Sequence, residues 1–216
     1  MRYQSILFDL DGTLVNSLRD IANAVNHARA ELNLEALPES AVRGFVGDGV
    51  TMLIARAFPE ALRKQAHDIF GAHYAAHLTD CTESYPCVEE TLVLLRYDGL
   101  KLGVVTNKPT DFSETILKNL GLRQYFGAVV GGDAPVPRKP APDALLLALK
   151  QMGHDGPAAS VLMVGDGRND VLAAKAAGMD CAAVSYGFGD VTELRDLGAK
   201  YVINDMEAVL GLYLDR

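Results

Sequence analysis

The sequence predicts an α/β protein, in which a doubly wound parallel sheet carries an inserted block of α-helices. The first observation is that short, nearly all-apolar runs alternate with helical patterns through most of the chain. Such runs are typical of strands that are buried on both faces of a parallel sheet and connected by helices. The second observation is a long segment, directly after the first run, that contains no convincing strand. Together they predict a parallel-sheet core that is interrupted once by helices.

The apolar runs predicted to form the core strands occupy residues 5–8, 102–105, 128–130, 161–164, 181–184 and 201–203. One connecting helix is predicted to be capped by Asp111, with Glu114 in the capping-box position and Gly121 beyond its end. Another is predicted over residues 168–177, because Gly178 follows as a typical C-terminal stop.

The helical insertion is predicted to cover residues 16–82, where Leu18, Ile21 and Val25 recur at helical spacing. Its expected hinges are residues 15–16 on one side and 84–86 on the other. We therefore expect an α/β core domain of residues 1–15 and 83–216, and a helical cap domain of residues 16–82.

The charge balance narrows the possible partners. The 216 residues include 28 acidic and 20 basic side chains, which gives a formal net charge of −8. Nucleic acids and anionic membranes bind basic patches, so neither is an expected partner. A small anionic substrate would need positive charge supplied locally. The cysteines form no C-x-x-C motif, no run of 18 apolar residues occurs, and residues 1–4 do not begin a signal peptide. A cytoplasmic protein is therefore expected. Its expected assembly is a monomer or a homodimer.

Two acids follow the first predicted strand. Side chains alternate along an extended strand, so Asp9 and Asp11 can point the same way while Leu10 points into the core. Gly12 then permits a sharp turn. The carboxyl ends of parallel strands are where α/β sheets bind ligands. Two carboxylates held there would repel each other unless a cation or a proton separated them, which makes this pair a candidate catalytic site.

The segment Asp-Leu-Asp-Gly-Thr-Leu-Val at residues 9–15 resembles the first signature of the haloacid dehalogenase superfamily, in its phosphatase form. Segments similar to the other signatures follow in the expected order. They are residues 104–108, with Thr106 and Asn107; residues 138–142, centred on Lys139; and residues 164–170, with Asp166 and Asp170. The resemblance covers the whole chain and implies a Mg²⁺-dependent phosphatase that acts through an aspartyl-phosphate.

The resemblance also implies a role for individual residues. Asp9 would be the nucleophile, and Asp11 the general acid for the leaving alcohol and then the general base for the attacking water. Mg²⁺ would be bound by the side chains of Asp9 and Asp166 and the backbone carbonyl of Asp11. Asp170 would orient these ligands rather than bind directly.

The remaining expected site residues hold the phosphate. Lys139 would offset the negative charge of Asp9 and of the substrate, and the Thr106 hydroxyl would hold phosphate oxygens, so both are expected catalytic residues. Gly12 and Asn107 are expected substrate contacts beside them.

The insertion resembles the mobile cap of the phosphoglycolate phosphatase-like subgroup. Within it, residues 43–49 resemble the loop that faces the substrate, and Arg43 could pair with a substrate carboxylate. Asn16, Cys87 and Gly167 depart from the residues usual in this subgroup, although none of these departures removes a catalytic group.

The sequence thus predicts hydrolysis of a small phosphomonoester, with 2-phosphoglycolate as the expected substrate. Another small ester such as a sugar phosphate, handled by a phosphatase or a mutase, is the alternative. A non-catalytic phosphate-sensing module is a third interpretation, but such a module has no need of the second acid, Asp11.

Overall fold

The central element of the structure, a computed structural model that describes residues 2–214, is a parallel sheet of six strands. The order in this sheet is β5-β4-β1-β6-β7-β8, and every neighbouring pair is parallel. Another pair of short strands, β2 and β3, forms a separate ribbon. The strands are β1 Ser5–Phe8, β2 Val15–Asn16, β3 Glu83–Ser84, β4 Lys101–Val105, β5 Ala128–Val130, β6 Val161–Gly165, β7 Asp180–Val184 and β8 Tyr201–Ile203.

All of the predicted core strands are confirmed, as is the doubly wound parallel sheet. The reason is visible in β1, which is fully buried between β4 and β6. Its side chains alternate, so Ile6 and Phe8 belong to one apolar cluster and Leu7 to the other. A strand that packs on both faces is apolar at nearly every position, and in β1 the one polar residue, Ser5, is buried with its hydroxyl hydrogen-bonded to His154 Nδ1 at 2.8 Å.

Helices cover both faces of the sheet and also form the insertion. Those of the core are α5 Val88–Tyr97, α6 Thr110–Asn119, α7 Asp143–Gln151, α8 Arg168–Ala176, α9 Val191–Leu197 and α10 Val209–Tyr213. Those of the insertion are α1 Leu18–Glu31, α2 Glu39–Arg43, α3 Val50–Ala57 and α4 Arg63–Ala76. Short 3₁₀ turns occur at Glu60–Leu62, Arg123–Tyr125 and Ala158–Ser160. None of the helices in residues 2–214 is long and apolar enough to cross a membrane.

The insertion leaves and rejoins the core through the ribbon. Val15 pairs with Ser84 and Asn16 with Glu83 in antiparallel register, so Asn16 lies in a short strand that the sequence pattern did not predict. Next to the ribbon, the buried Asp20 carboxylate accepts hydrogen bonds from Thr82 N at 2.8 Å and Thr82 Oγ1 at 2.7 Å. These contacts tie the two ends of the insertion together, and we propose that the ribbon separates the core from a cap of residues 16–82.

The predicted N-cap of α6 is wrong. The helix begins at Thr110 with Pro109 as its N-cap residue, and Asp111 lies inside the first turn. The capping acid comes instead from the loop after β5, where Asp133 Oδ1 accepts from Thr110 N at 2.8 Å and Thr110 Oγ1 at 2.5 Å. An acid distant in sequence satisfies the exposed helix amide, so the local pattern could not identify it.

Candidate active site

The loops after β1, β4 and β6 meet at one cavity of about 350 Å³. These strands are neighbours, so their carboxyl ends bring together residues that are far apart in sequence. Every predicted side chain of the site lines this cavity: Asp9, Asp11, Arg43, Thr106, Asn107, Lys139, Asp166 and Asp170. The insertion forms the opposite wall, with contributions from α1, α3 and α4 that include Ile21, Leu53, Phe70 and Tyr74.

Lys139 is the buried cation at the centre of the site. Its side chain is only 2% exposed, and its Nζ lies 2.9 Å from Asp9 Oδ1 and 2.6 Å from Asp170 Oδ1. It also donates to the Val105 carbonyl at 2.6 Å. Burial alone would lower the pKa of Lys139, but the charges of Asp170 and Asp9 raise it by more than burial lowers it. The pKa therefore lies above its ordinary value, and the amine stays protonated.

Three carboxylates converge beside this lysine. Asp9, Asp166 and Asp170 each offer an oxygen within 4.8 Å of the others. Burial raises the pKa of Asp166 to about 8, and the charges of Asp9 and Asp170 add to the shift. Burial, opposed by the charge of Lys139, also raises the pKa of Asp9 to about 6. Without a further cation, the cluster therefore favours a proton on Asp166 near neutral pH.

The cluster fits a divalent cation that prefers oxygen ligands. Although Asp9 Oδ1 lies close to Lys139, it has no hydrogen-bond partner of suitable geometry among residues 2–214. Asp166 is held from two sides, by Thr13 Oγ1 at 3.1 Å and by Phe188 N at 2.7 Å. A hard cation such as Mg²⁺ would replace the proton on Asp166 and offset the repulsion between the carboxylates.

Asp170 is engaged by protein donors on both of its oxygens. Oδ1 accepts from Lys139, and Oδ2 accepts from Gly167 N at 2.9 Å. Asp170 is almost fully buried on the first turn of α8. These contacts fix Lys139 relative to the loop that carries Asp166.

Asp11 lies in a different group of contacts from the carboxylate cluster. Its oxygens are 2.9 Å and 3.0 Å from Lys108 Nζ, and Oδ1 also accepts from Ser17 Oγ at 2.5 Å. Sequence reasoning missed Lys108 as a site residue, although it directly follows Thr106 and Asn107 in the segment that carried the resemblance. The position of a lysine in that segment was the available signal.

Gly12 makes a tight turn after β1 that packs against the Asp166 carboxylate. Its φ is +83°, a left-handed conformation, and a Cβ at this position would overlap the Asp166 carboxylate. Glycine is therefore required here for two reasons: the left-handed φ, and the close approach of the backbone to Asp166.

Thr106 and Asn107 follow β4 on the other side of the cavity. The Thr106 hydroxyl accepts from Lys108 N at 3.2 Å, which leaves its own proton to donate. The Asn107 amide donates to the carbonyls of Gly47 at 2.9 Å and Lys139 at 3.0 Å. The Asn107 side chain thus connects the backbone of Gly47, in the insertion, to the backbone of Lys139, in the core.

The insertion loop at residues 43–49 is docked on the core. Arg43 donates to the backbone carbonyls of Gly187 and, at 3.3 Å, Phe188. Asn169, which sequence reasoning passed over, donates to Gly47 O at 3.1 Å and to Asp48 Oδ1 at 2.7 Å. Arg43 therefore lines the cavity while its guanidinium contacts core backbone.

Comparisons with known proteins agree with this architecture. The family model for haloacid dehalogenase-like hydrolases matches residues 6–184. The phosphoglycolate phosphatase of Haemophilus influenzae is 36% identical over 222 residues, covering 98% of each chain. That of Pseudomonas fluorescens is 38% identical over 213 residues, covering 95% of this chain and 78% of that protein. A crystal structure described as a predicted phosphoglycolate phosphatase from Haemophilus somnus superposes with a TM-score of 0.92 at 32% identity, over 98% of each chain.

Proposed function

This chain belongs to the haloacid dehalogenase-like hydrolase family, and from that premise we propose that it is a phosphatase of small phosphomonoesters, with 2-phosphoglycolate as its substrate. The observation that carries the proposal is the buried Lys139, which contacts Asp9 and Asp170 beside the Asp166 carboxylate. A dianionic phosphate repels an attacking carboxylate, so a phosphatase needs concentrated positive charge at this position.

Asp9 is proposed as the nucleophile. One of its carboxylate oxygens attacks phosphorus, the bond from phosphorus to the leaving oxygen breaks, and an aspartyl-phosphate forms. Lys139 stabilises both the ionised nucleophile and the charge on the transferred group, since its ammonium is held in the site by Asp170 and the Val105 carbonyl. The Thr106 hydroxyl is proposed to donate to a phosphoryl oxygen, as are backbone amides near Gly12.

Asp11 is proposed to move the protons. Protonated Asp11 gives its proton to the departing alcohol. The resulting carboxylate, the form that pairs with Lys108, then takes a proton from the water that attacks the aspartyl-phosphate. That second attack releases phosphate and restores Asp9 with its electron pair. A dehalogenation would require no such proton, so the second acid supports phosphate ester hydrolysis.

Mg²⁺ is the proposed cofactor. The side chains of Asp9 and Asp166 and the backbone carbonyl of Asp11 would hold it, and when bound it would neutralise part of the phosphoryl charge. Asp170 is proposed to orient Lys139 and the Asp166 loop, because both of its oxygens already accept from protein donors.

The substrate proposal draws on the relatives and on one cation in the cavity. Phosphoglycolate phosphatases are 36–38% identical to this chain over nearly its whole length. Arg43 lines the cavity and donates to the backbone carbonyls of Gly187 and Phe188, so we propose that its guanidinium exchanges them for the substrate carboxylate.

The proposal is tested by steady-state kinetics with Mg²⁺ on 2-phosphoglycolate, sugar phosphates, nucleotides and pyrophosphate. We expect the highest kcat/KM for 2-phosphoglycolate, loss of turnover in EDTA, and no turnover for Asp9→Asn. Asp196→Asn, which removes an exposed acid on α9, is the matched control. A preference for a sugar phosphate of about tenfold, or about 1.4 kcal/mol in activation free energy, would reject 2-phosphoglycolate. Turnover by Asp9→Asn would reject the nucleophile.

A further inference from the structure

A buried chain of contacts runs from the helical insertion to Asp11. Tyr74, on α4, contacts Lys108 Nζ through its hydroxyl at 2.7 Å. The same ammonium lies 2.9 Å and 3.0 Å from the two Asp11 oxygens. Tyr74 is 2% exposed and Lys108 7% exposed, and all three residues line the cavity. Tyr74 is therefore separated by a single residue, Lys108, from the group that the reaction needs for proton transfer.

The geometry of this chain is closely defined. An ammonium has three protons to donate, and the Lys108 contacts to Asp11 and Tyr74 occupy that number. The Tyr74 ring is held in turn by Phe70, with ring centroids 5.4 Å apart, and by the edge of Phe112 at 5.6 Å. Lys108 thus has its position set by α4, and Asp11 has its position set by Lys108.

A buried ion pair alone would not need the tyrosine. Asp11 already neutralises the Lys108 charge, and Ser17 already supplies a further hydrogen bond to Asp11. What Tyr74 adds is a contact that exists only while α4 lies over the core. This contact makes the position of Lys108, and through it that of Asp11, depend on the packing of α4 over the core.

We propose that Tyr74 is a positioning residue, which holds the Lys108 ammonium so that the Asp11 carboxyl faces the leaving-group oxygen when the insertion covers the site. The inference rests on the proposed role of Asp11 as general acid. It assigns to α4 a part in proton transfer, in addition to forming a wall of the cavity.

The proposal has a consequence that depends on the leaving group. An alkoxide is a strong base and needs a proton as it departs, whereas 2,4-dinitrophenolate leaves without one. A residue that positions the general acid should therefore matter for alkyl phosphates and not for 2,4-dinitrophenyl phosphate. A residue that only stabilises the fold or the cavity should affect both substrates equally.

The experiment compares kcat/KM of the Mg²⁺-loaded wild type and Tyr74→Phe on 2-phosphoglycolate and on 2,4-dinitrophenyl phosphate. This quantity reports the steps up to the first irreversible one, formation of the aspartyl-phosphate, and so excludes its later hydrolysis. We expect a loss of about tenfold for 2-phosphoglycolate and less than about twofold for the aryl ester. Tyr97→Phe, which removes the same hydroxyl from an 88% exposed tyrosine on α5, is the control and should change neither rate.

A double variant separates positioning from a structural effect. Asp11→Asn should show the same dependence on leaving group, with a larger loss, and adding Tyr74→Phe to it should cost nothing further. Equal losses on the two esters, or full additivity of the two substitutions, would overturn the proposal. Wild-type protein that hydrolyses neither ester would instead reject the phosphatase function itself, and the thermal unfolding of Tyr74→Phe checks that the variant is folded.

Discussion

Gly12 is the residue on which the arrangement of the site depends most directly. It follows β1 with φ at +83° and leaves no room for a Cβ beside the Asp166 carboxylate. The turn packs against Asp166, while the pairing of β1 with β6 places Asp9 and Asp166, the residues after these strands, with carboxylate oxygens within 4.8 Å of each other. A single backbone conformation is thus needed for the proposed metal site.

Alanine substitutions at Gly12 and Gly99 should distinguish the cost of backbone strain from the loss of the metal site. In Gly12→Ala the new methyl group displaces Asp166, so we expect Mg²⁺ affinity and kcat/KM to fall by at least about tenfold. Gly99→Ala is the matched control, since Gly99 has a φ of +85° but open space around its Cβ position. Both variants should lose about 1 kcal/mol of stability from the left-handed backbone. Mg²⁺ titration measures the affinities, and thermal unfolding measures the stabilities. Equal Mg²⁺ affinity in the two variants would contradict this account.

The residues that hold the site were only partly predictable. Asp9, Asp11, Lys139 and Asp166 could be predicted because each lies in a short segment that resembles a signature of the family. Tyr74 and Asn169 could not be found in this way. Their contacts, with Lys108 and with Asp48, join segments that meet only after the insertion has packed on the core.

At the scale of single elements, strands were more predictable than helix ends. The central strands β1 and β6 are buried at every position, so their whole composition carries the signal. A helix end depends on one or two hydrogen bonds, and for α6 these come from Asp133, in another loop. The short ribbon strands also escaped prediction, because two residues each are too few to show alternation.

The α6 cap gives a direct test of that difference. Asp133→Ala leaves the Thr110 amide without its side-chain acceptor, so we expect a loss of about 1 kcal/mol in the free energy of unfolding. Asp111→Ala removes the acid that the sequence pattern indicated, but this acid accepts no capping hydrogen bond in α6, and the change should stay within about 0.5 kcal/mol. Urea denaturation of the two variants measures both values. A larger loss for Asp111→Ala would mean that the helix is capped as the sequence predicted.

At the scale of the whole molecule, the net charge of −8 conceals a local balance. Asp9, Asp11, Asp166 and Asp170 line one cavity with two buried lysines, Lys108 and Lys139. Fully ionised, these groups carry a formal excess of two negative charges, which is the amount that one Mg²⁺ ion supplies. An acidic protein can therefore accept an anionic substrate, because the charge that matters is that of the loaded site.

That balance predicts how stability changes with pH. The pKa of Asp166 is about 8 in the folded protein, against an ordinary value of 3.8, because burial and the charges of Asp9 and Asp170 raise it. Between pH 6.5 and 8.5 the folded protein therefore binds a proton that the unfolded chain does not, and raising the pH removes this stabilisation. In EDTA, we expect the free energy of unfolding to fall over this range, by an amount on the order of 1 kcal/mol.

Bound Mg²⁺ and the substitution Asp166→Asn should each abolish this fall of the free energy of unfolding with rising pH. Bound Mg²⁺ keeps the carboxylates ionised, so it should stabilise the protein more at pH 8.5 than at pH 6.5. Asp166→Asn removes the titrating carboxyl, so the slope in EDTA should flatten and the stabilisation by Mg²⁺ should be lost, whereas Asp196→Asn should behave as the wild type. Histidines of ordinary pKa titrate near the lower end of this range, so the contribution of Asp166 is taken as the difference in slope between Asp166→Asn and Asp196→Asn. Urea denaturation at pH 6.5 and pH 8.5, in EDTA and in Mg²⁺, measures these free energies of unfolding. If Asp166→Asn keeps the wild-type pH dependence in EDTA, that dependence arises outside the carboxylate cluster.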